Sequence, residues 1–143
     1  HNIDTEIMSV DIEPVNQKLI QLGVNNLQMD VLDIQNLPTF NEFLNTDKKL
    51  LILCDGWNKP GEFNLFAKYI KVGDFIMAHD YATTKEYFEN NIQYKIWNWC
   101  QITENDIVGV SNKFNLIEYT DIDFKKEMWV CKTKKENTKK SLF

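Results

Sequence analysis

The chain has 143 residues, of which 43% are hydrophobic and 26% charged, and its formal net charge is −5. These values are ordinary for a globular protein, and a chain of this length usually forms one domain. The negative charge argues against binding to a nucleic-acid backbone, and no apolar run approaches the ~20 residues of a membrane span. We therefore expect a single domain over residues 1–143, with neither nucleic acid nor membrane as a partner.

The basic residues and the cysteines limit the chemistry further. All 16 basic residues are lysine, so no side chain can make the bidentate contacts that arginine makes with phosphate or carboxylate. Cys54, Cys100 and Cys131 form no CxxC pair, which predicts reduced thiols and a cytoplasmic location rather than disulfides or a zinc site. Because the chain begins with histidine, we expect a fragment, a processed form or a chain with a tag remnant.

The first part of the chain alternates between strand and helix signals. Residues 6–11 (EIMSVD) form a short apolar run that predicts a strand, and Pro14 suits the first turn of a helix that Gly23 ends. Residues 24–31 (VNNLQMDV) predict a second strand, and residues 37–44 predict a second helix.

The clearest strand signal is LLILC at residues 50–54, which is apolar at every position, as a strand buried on both faces must be. A helix is predicted to open at Pro60, and residues 75–78 (FIMA) predict another buried strand. The alternation of strands and helices predicts an α/β fold with a mostly parallel sheet and helices on both of its faces.

The last third of the chain has a different pattern. Residues 82–112 are less regular and unusually aromatic, with Trp97 and Trp99 either lining a binding pocket or packing onto the core. Residues 114–119 (FNLIEY) and 128–132 (MWVCK) predict a terminal antiparallel pair that closes the sheet at one edge.

Polar and acidic side chains follow nearly every predicted strand. Ligands of open α/β sheets bind beyond the carboxyl ends of the strands, so these residues are the candidates for a site. Acids also suit turns and helix caps, and any single one is weak evidence. Four successive strand ends with a His-Asp pair among them favour a binding site, formed by Asp11 and Glu13, Asp30 and Asp33, Asp55, Trp57 and Asn58, and His79, Asp80 and Tyr81.

These segments resemble the class I S-adenosylmethionine (SAM)-dependent methyltransferases, which have a Rossmann-like fold. SVDIEP at 9–14 resembles the second strand of that family, and MDVLD at 29–33 resembles its third-strand motif. Residues 50–81 resemble the stretch from strand four through strand five, and are most similar to the metal-dependent O-methyltransferases of the macrocin and cephalosporin-hydroxylase types.

The resemblance implies a SAM-dependent O-methyltransferase that acts on a small molecule or a sugar. It implies that Asp11 binds the ribose of SAM, that Asp30 lies at the adenine end, and that Asp55 and Trp57 border the cofactor crevice. Asn58 and its neighbour Lys59 are interpreted as cap and surface residues, with a contact from the lysine to an acidic ligand group as the alternative.

The same resemblance implies a Mg or Mn site at Asp55, His79 and Asp80, of which His79 and Asp80 would be catalytic. The family has an acidic pair where this chain has His79-Asp80. Histidine favours Mn, Fe or Zn over Mg. Alternatively, His79 acts as a general base for the acceptor hydroxyl, or is only a hydrogen-bonded residue at a strand end.

The family's first strand and its glycine-rich turn have no counterpart here, and the chain contains no G-x-G motif. That strand lies in the middle of the family's sheet, so we expect a truncated domain whose sheet closes differently or borrows a strand from a partner. The second hypothesis is therefore a non-catalytic interaction or oligomerisation module, in which a homo-oligomer would form. A third hypothesis, a domain that binds another nucleotide, is weakened by the lack of a glycine fingerprint.

Overall fold

The computed structural model describes residues 5–136 of the chain. Contacts divide the described residues into two compact units, which meet between Phe43 and Leu44 in the sequence. The described residues form a mixed α/β fold with several sheets, some of them parallel, as the sequence predicts at this coarse level. None of the helices among residues 5–136 is long and apolar enough to cross a membrane.

The first unit contains a parallel pair of strands. Its elements are β1 (Met8–Asp11), α1 (Gln17–Gln21), β2 (Asn25–Gln28) and α2 (Leu37–Leu44), the last of which extends one residue into the second unit. The two strands pair so that Asp11 lies opposite Gln28. The predicted strand–helix–strand order is confirmed, but β2 is shorter than residues 24–31 because the chain turns at Asp30, whose Oδ1 accepts a hydrogen bond from the Leu32 amide at 2.8 Å.

The second unit contains the main sheet. The elements of this unit are β3 (Leu51–Cys54), α3 (Lys59–Phe66), β4 (Phe75–Ala78), β5 (Tyr81–Ala82), α4 (Lys85–Asn91), β6 (Ile102–Thr103), α5 (Glu104–Phe114), β7 (Leu116–Glu118) and β8 (Val130–Lys134). The main sheet has the strand order β3-β4-β8-β7, in which β3 and β4 are parallel and β8 is antiparallel to both of its neighbours. The predicted terminal antiparallel pair is therefore confirmed, with β7 at the edge of the sheet.

Only one face of β3 is buried, so the prediction that this strand is buried on both faces is wrong. Cys54 is 1% exposed, whereas Leu51 and Leu53 are 54% and 56% exposed. Successive side chains of a strand point to opposite faces, and α3 packs against the face to which Cys54 points. Ile76 and Ala78 of β4 are fully buried on that same face.

Helix α5 lies in the region that the sequence pattern marked as irregular. The Thr103 amide donates to Asp106 Oδ2 at 2.7 Å, which caps the start of the helix. Ile107 is fully buried along the inward side, and the helix ends at Asn115, whose φ is +57°. Asparagine tolerates this left-handed conformation better than most residues do, and it is a common helix terminator.

A buried aspartate joins three strands at the end of the main sheet opposite the candidate site residues Asp55, His79 and Asp80. Asp74, which is 1% exposed, accepts hydrogen bonds from the amides of Leu50 and Lys71, each at 3.0 Å. Its backbone carbonyl accepts a hydrogen bond from Thr133 Oγ1 at 2.8 Å. Asp74 therefore connects the beginnings of β3 and β4 with β8.

Candidate metal and catalytic site

The carboxyl ends of β3 and β4 lie side by side. The two strands are parallel, with Cys54 opposite Ala78, so the residues that follow them meet at one edge of the sheet. Asp80 has a φ of +57°, a conformation that aspartate visits more readily than most residues. This sharp turn between β4 and β5 allows His79 and Asp80 both to face Asp55.

The three predicted metal ligands come together here. One ligand atom from each of Asp55, His79 and Asp80 lies within 4.8 Å of the other two. His79 Nδ1 is 3.2 Å from Asp80 Oδ1 and 3.8 Å from Asp55 Oδ1. The side chain of Asp55 is 58% exposed and that of Asp80 only 10%, so the group is open to solvent on the Asp55 side.

Lys59 belongs to the same group of charges. Its Nζ lies 2.9 Å from Asp80 Oδ2 and 3.4 Å from Asp55 Oδ1, and it also donates to the side-chain oxygen of Gln101. Lys59 is only 4% exposed, so the prediction that it is a surface residue is wrong. Its neighbour Asn58 is the expected cap, since its side chain accepts from the Gly61 amide at 3.0 Å.

Two tryptophans surround His79. Trp97 Nε1 donates to Asp80 Oδ1 at 2.7 Å, and the Trp97 ring lies edge-on to His79 with centroids 5.5 Å apart. The ring of Trp129 lies 4.7 Å from that of His79. Sequence reasoning missed Trp129, and the signal that could have found it is the antiparallel register of β4 and β8. Ala78 pairs with Val130, so the next residue outward on each strand is His79 and Trp129.

The donor set fits a divalent cation. Two carboxylates and an imidazole are the ligand types of Mn, Fe and Zn sites, and Mg accepts the carboxylates more readily than the imidazole. Both oxygens of Asp80 already have partners, Lys59 on one and Trp97 on the other. A cation would therefore approach from the solvent side, where Asp55 is exposed, and would share an oxygen of Asp80 with Lys59 or Trp97. The two carboxylates of Asp55 and Asp80 and the ammonium of Lys59 together carry a net charge of −1, which still attracts a cation.

A glycine turn shapes the loop that carries Asp55. The Gly56 amide donates to Glu62 Oε2 at 3.2 Å, and a β-carbon at Gly56 would overlap the Glu62 carboxylate.

Burial, and then the charge of Glu62, raise the pKa of Cys54 well above its usual range. The Cys54 thiol therefore stays protonated and is not a nucleophile, as expected for a cysteine within a strand.

The residues predicted to contact SAM lie at the ends of three strands. Asp11 is the last residue of β1 and Asp30 follows β2, the two parallel strands of the first unit, and both aspartates are exposed. Asp11 Oδ1 accepts from the Glu13 amide at 3.0 Å, a turn contact of the same kind as the one Asp30 makes. In the second unit, Trp57 is 89% exposed beside Asp55. Their roles toward SAM stay predictions.

Comparisons of the chain with protein-family models, with curated proteins and with solved structures found no match.

Proposed function

We propose that the chain is a Rossmann-like methyltransferase domain in which Asp55, His79 and Asp80 bind a divalent cation and direct methyl transfer from SAM to a hydroxyl of a small molecule or sugar. The observation that carries this proposal is the convergence of these three donors within 4.8 Å at the carboxyl ends of two adjacent parallel strands. The parallel pairs β1–β2 and β3–β4 and the terminal antiparallel pair β7–β8 also agree with the α/β pattern predicted from the sequence.

The chain's own residues would hold and orient the reacting group. A bound divalent cation would supply Lewis acidity, which lowers the pKa of a coordinated hydroxyl. Asp55 is exposed and His79 is partly exposed, so these two side chains are the ones that an incoming acceptor could reach. Asp80 is held by Lys59 and Trp97, so it fixes the position of His79 Nδ1, 3.2 Å away. In-line transfer to a sulfonium methyl depends on such positioning.

His79 also suits general-base catalysis without a metal. Its Nδ1 faces the carboxylates of Asp80 and Asp55, and a proton on Nδ1 would be attracted to both. The other ring nitrogen, Nε2, would then be free to accept a proton from an acceptor hydroxyl. This variant of the proposal needs the same three residues, but its activity would persist when metals are chelated.

A second candidate function is a non-catalytic interaction module. It is favoured by β3, whose only strand partner among residues 5–136 is β4 and whose Leu51 and Leu53 are half exposed. An apolar strand with an open edge is prone to pair with another chain.

Calorimetric titration tests the proposal. The purified chain is titrated with SAM and with S-adenosylhomocysteine, with and without Mn²⁺ or Mg²⁺. We expect Asp11→Ala to weaken binding of SAM, and we expect Asp55→Asn to weaken binding of Mn²⁺. Asp47→Asn is the control: it changes an exposed loop carboxylate in the unit that contains Asp55, and it should leave the affinities for SAM and for Mn²⁺ unchanged. Failure of the chain to bind SAM at millimolar concentration would contradict the methyltransferase function and favour the interaction module.

A further inference from the structure

Strand β3 has a free backbone edge. The amide of Phe75 in β4 donates to the carbonyl of Leu50 at 2.9 Å. Residues of a parallel strand alternate between bonding to one neighbour and to the other, so Leu51 and Leu53 direct their N–H and C=O groups away from β4. No described strand pairs with that side of β3. The edge therefore presents four backbone groups able to pair with another strand.

The residues along this edge are self-complementary in charge. Lys49, Leu51, Leu53 and Asp55 alternate with less exposed residues, and all four are exposed, so they share one face. A basic residue begins this row and an acidic residue ends it, with only leucines between them. An antiparallel copy of the same strand would therefore meet opposite charges at both ends.

We propose that two copies of the chain associate through β3, as an antiparallel pair about a two-fold axis at Ile52. In this register Leu51 lies opposite the partner's Leu53, and the backbone groups of these residues face each other. Lys49 lies opposite the partner's Asp55, and the symmetry produces each contact twice. The two four-stranded sheets would then form one continuous sheet, which is a closed, isologous association.

Charge selects this register over its neighbours. A shift of two residues in either direction still pairs edge-facing backbone groups, but it places Lys49 opposite a leucine or leaves it beyond the pair, and both ion pairs are lost. A shift of one residue brings edge-facing groups opposite groups that already bond to β4. Only the register centred on Ile52 satisfies both the backbone groups and the charges.

This inference goes beyond the proposed methyl transfer and does not depend on it. Asp55 is shared between the metal cluster and the proposed interface, so association is measured without added metal. A chain that dimerises without binding SAM would keep the interface and contradict only the enzyme. A chain that binds SAM as a monomer would do the reverse.

Sedimentation velocity of the full chain, from low to high micromolar concentration, tests the association. We expect a monomer–dimer equilibrium that Lys49→Glu weakens on the order of tenfold, because two attractive pairs become repulsive. Lys48→Glu makes the same charge change in the exposed bend that precedes β3, outside the row of four residues, and should leave the dissociation constant within about twofold. A wild-type monomer at every concentration would overturn the proposal, as would equal effects of the two variants.

Two further variants test the edge and the register. Leu53→Pro removes an N–H that faces away from β4, so it should abolish the dimer while circular dichroism shows an unchanged fold. Lys49→Glu and Asp55→Lys should each dimerise poorly alone, but a mixture should form the heterodimer, in which both charge pairs are attractive. Native mass spectrometry measures this heterodimer. If Asp55→Lys does not fold, the Leu53→Pro variant alone tests the interface. A dimer that persists in Leu53→Pro would refute pairing through β3.

Discussion

The ammonium nitrogen of Lys59 lies 2.9 Å from a carboxylate oxygen of Asp80, and the two side chains are only 4% and 10% exposed. This ion pair joins the first residue of α3 to the turn between β4 and β5. Lys59 also supplies a positive charge to the candidate site, which otherwise consists of the carboxylates of Asp55 and Asp80 and the imidazole of His79. The pair is thus both part of the fold and part of the electrostatics of the candidate site.

Lys59→Met should destabilise the chain by about 3–5 kcal/mol, because it leaves the buried carboxylate of Asp80 without its charge partner. Urea unfolding followed by circular dichroism measures this loss. Lys126→Met is the matched control, since Lys126 pairs with Asp123 at the surface, with side chains 79% and 57% exposed, and should lose less than about 1 kcal/mol. Equal effects of the two substitutions would show that Asp80 does not depend on Lys59.

Manganese should rescue Lys59→Met in part. Removal of the ammonium raises the negative charge around Asp55, His79 and Asp80, so a divalent cation should bind more tightly and replace the missing charge. We expect Mn²⁺ to raise the melting temperature of Lys59→Met by more than that of the wild type, as measured by scanning calorimetry. Equal shifts in the two proteins would count against a cation at this cluster.

Trp97→Phe should cost about 1.5–3 kcal/mol, the usual contribution of a hydrogen bond to a charged group, because Asp80 Oδ1 loses the Trp97 Nε1 donor at 2.7 Å. Trp99 is 63% exposed, so Trp99→Phe should change the free energy of unfolding by less than about 0.5 kcal/mol. Urea midpoints of the two variants check this difference. If Trp97→Phe is as stable as Trp99→Phe, the indole does not hold Asp80.

Stability should fall as the pH becomes alkaline. Burial raises the pKa of Cys54, and burial together with Glu104 raises the pKa of Tyr81, whose hydroxyl donates to Glu104 at 3.0 Å. The folded chain therefore holds protons that the unfolded chain releases above the ordinary values of about 8.5 for cysteine and about 10 for tyrosine. The stabilisation is complete below those values and is lost above them, by at most about 1.4 kcal/mol per pH unit for each group.

Unfolding by urea between about pH 7 and about pH 10 measures this decline. Cys54→Ala should make the decline above about pH 8.5 shallower, while Cys131, whose pKa is also raised by burial, still contributes to it. A free energy of unfolding that stays constant over this range would contradict the assignment.

The three thiols should react at different rates. Cys54 and Cys131 are buried, whereas Cys100 is partly exposed. Burial raises the pKa of Cys131 to about 11, so at pH 8 its thiolate fraction is on the order of one thousandth. Iodoacetamide should therefore modify Cys100 first in the native chain, and all three at similar rates in urea. Peptide mass spectrometry identifies the order, and modification of Cys131 before Cys100 would contradict it.

The parts of the fold that were predictable are those with a strong local signal. The predicted helix at 37–44 and the strand at 75–78 match α2 and β4, because caps and apolar runs determine such elements locally. Helix α5 was missed although its signal is present. Thr103 and Asp106 form the cap, and Ile107 and Phe114 lie on the inward side. The surrounding polar residues concealed that spacing.

Contacts that depend on tertiary packing were not predictable in the same way. The meeting of Asp55 with His79 follows from the rule that parallel strands end at one edge, and this rule needs only the strand order. The buried position of Lys59 depends on the direction of the first turn of α3, and Trp129 depends on the register of an antiparallel pair. The exposure of Leu51 depends on which face the helices cover, and an apolar run cannot reveal that.

Asp74 has a structural role at one end of the main sheet, and the candidate site lies at the other end. Its carboxylate and carbonyl fix the starts of β3 and β4 and the adjoining part of β8, whereas the ionisable cluster lies at the other end of the same strands. Asp55 and His79 can therefore be exchanged without disturbing the contacts that Asp74 makes between these strands. Evolution, or a protein engineer, could alter the ligand chemistry of this scaffold at Asp55 and His79 while keeping its architecture, as long as Asp74 is retained.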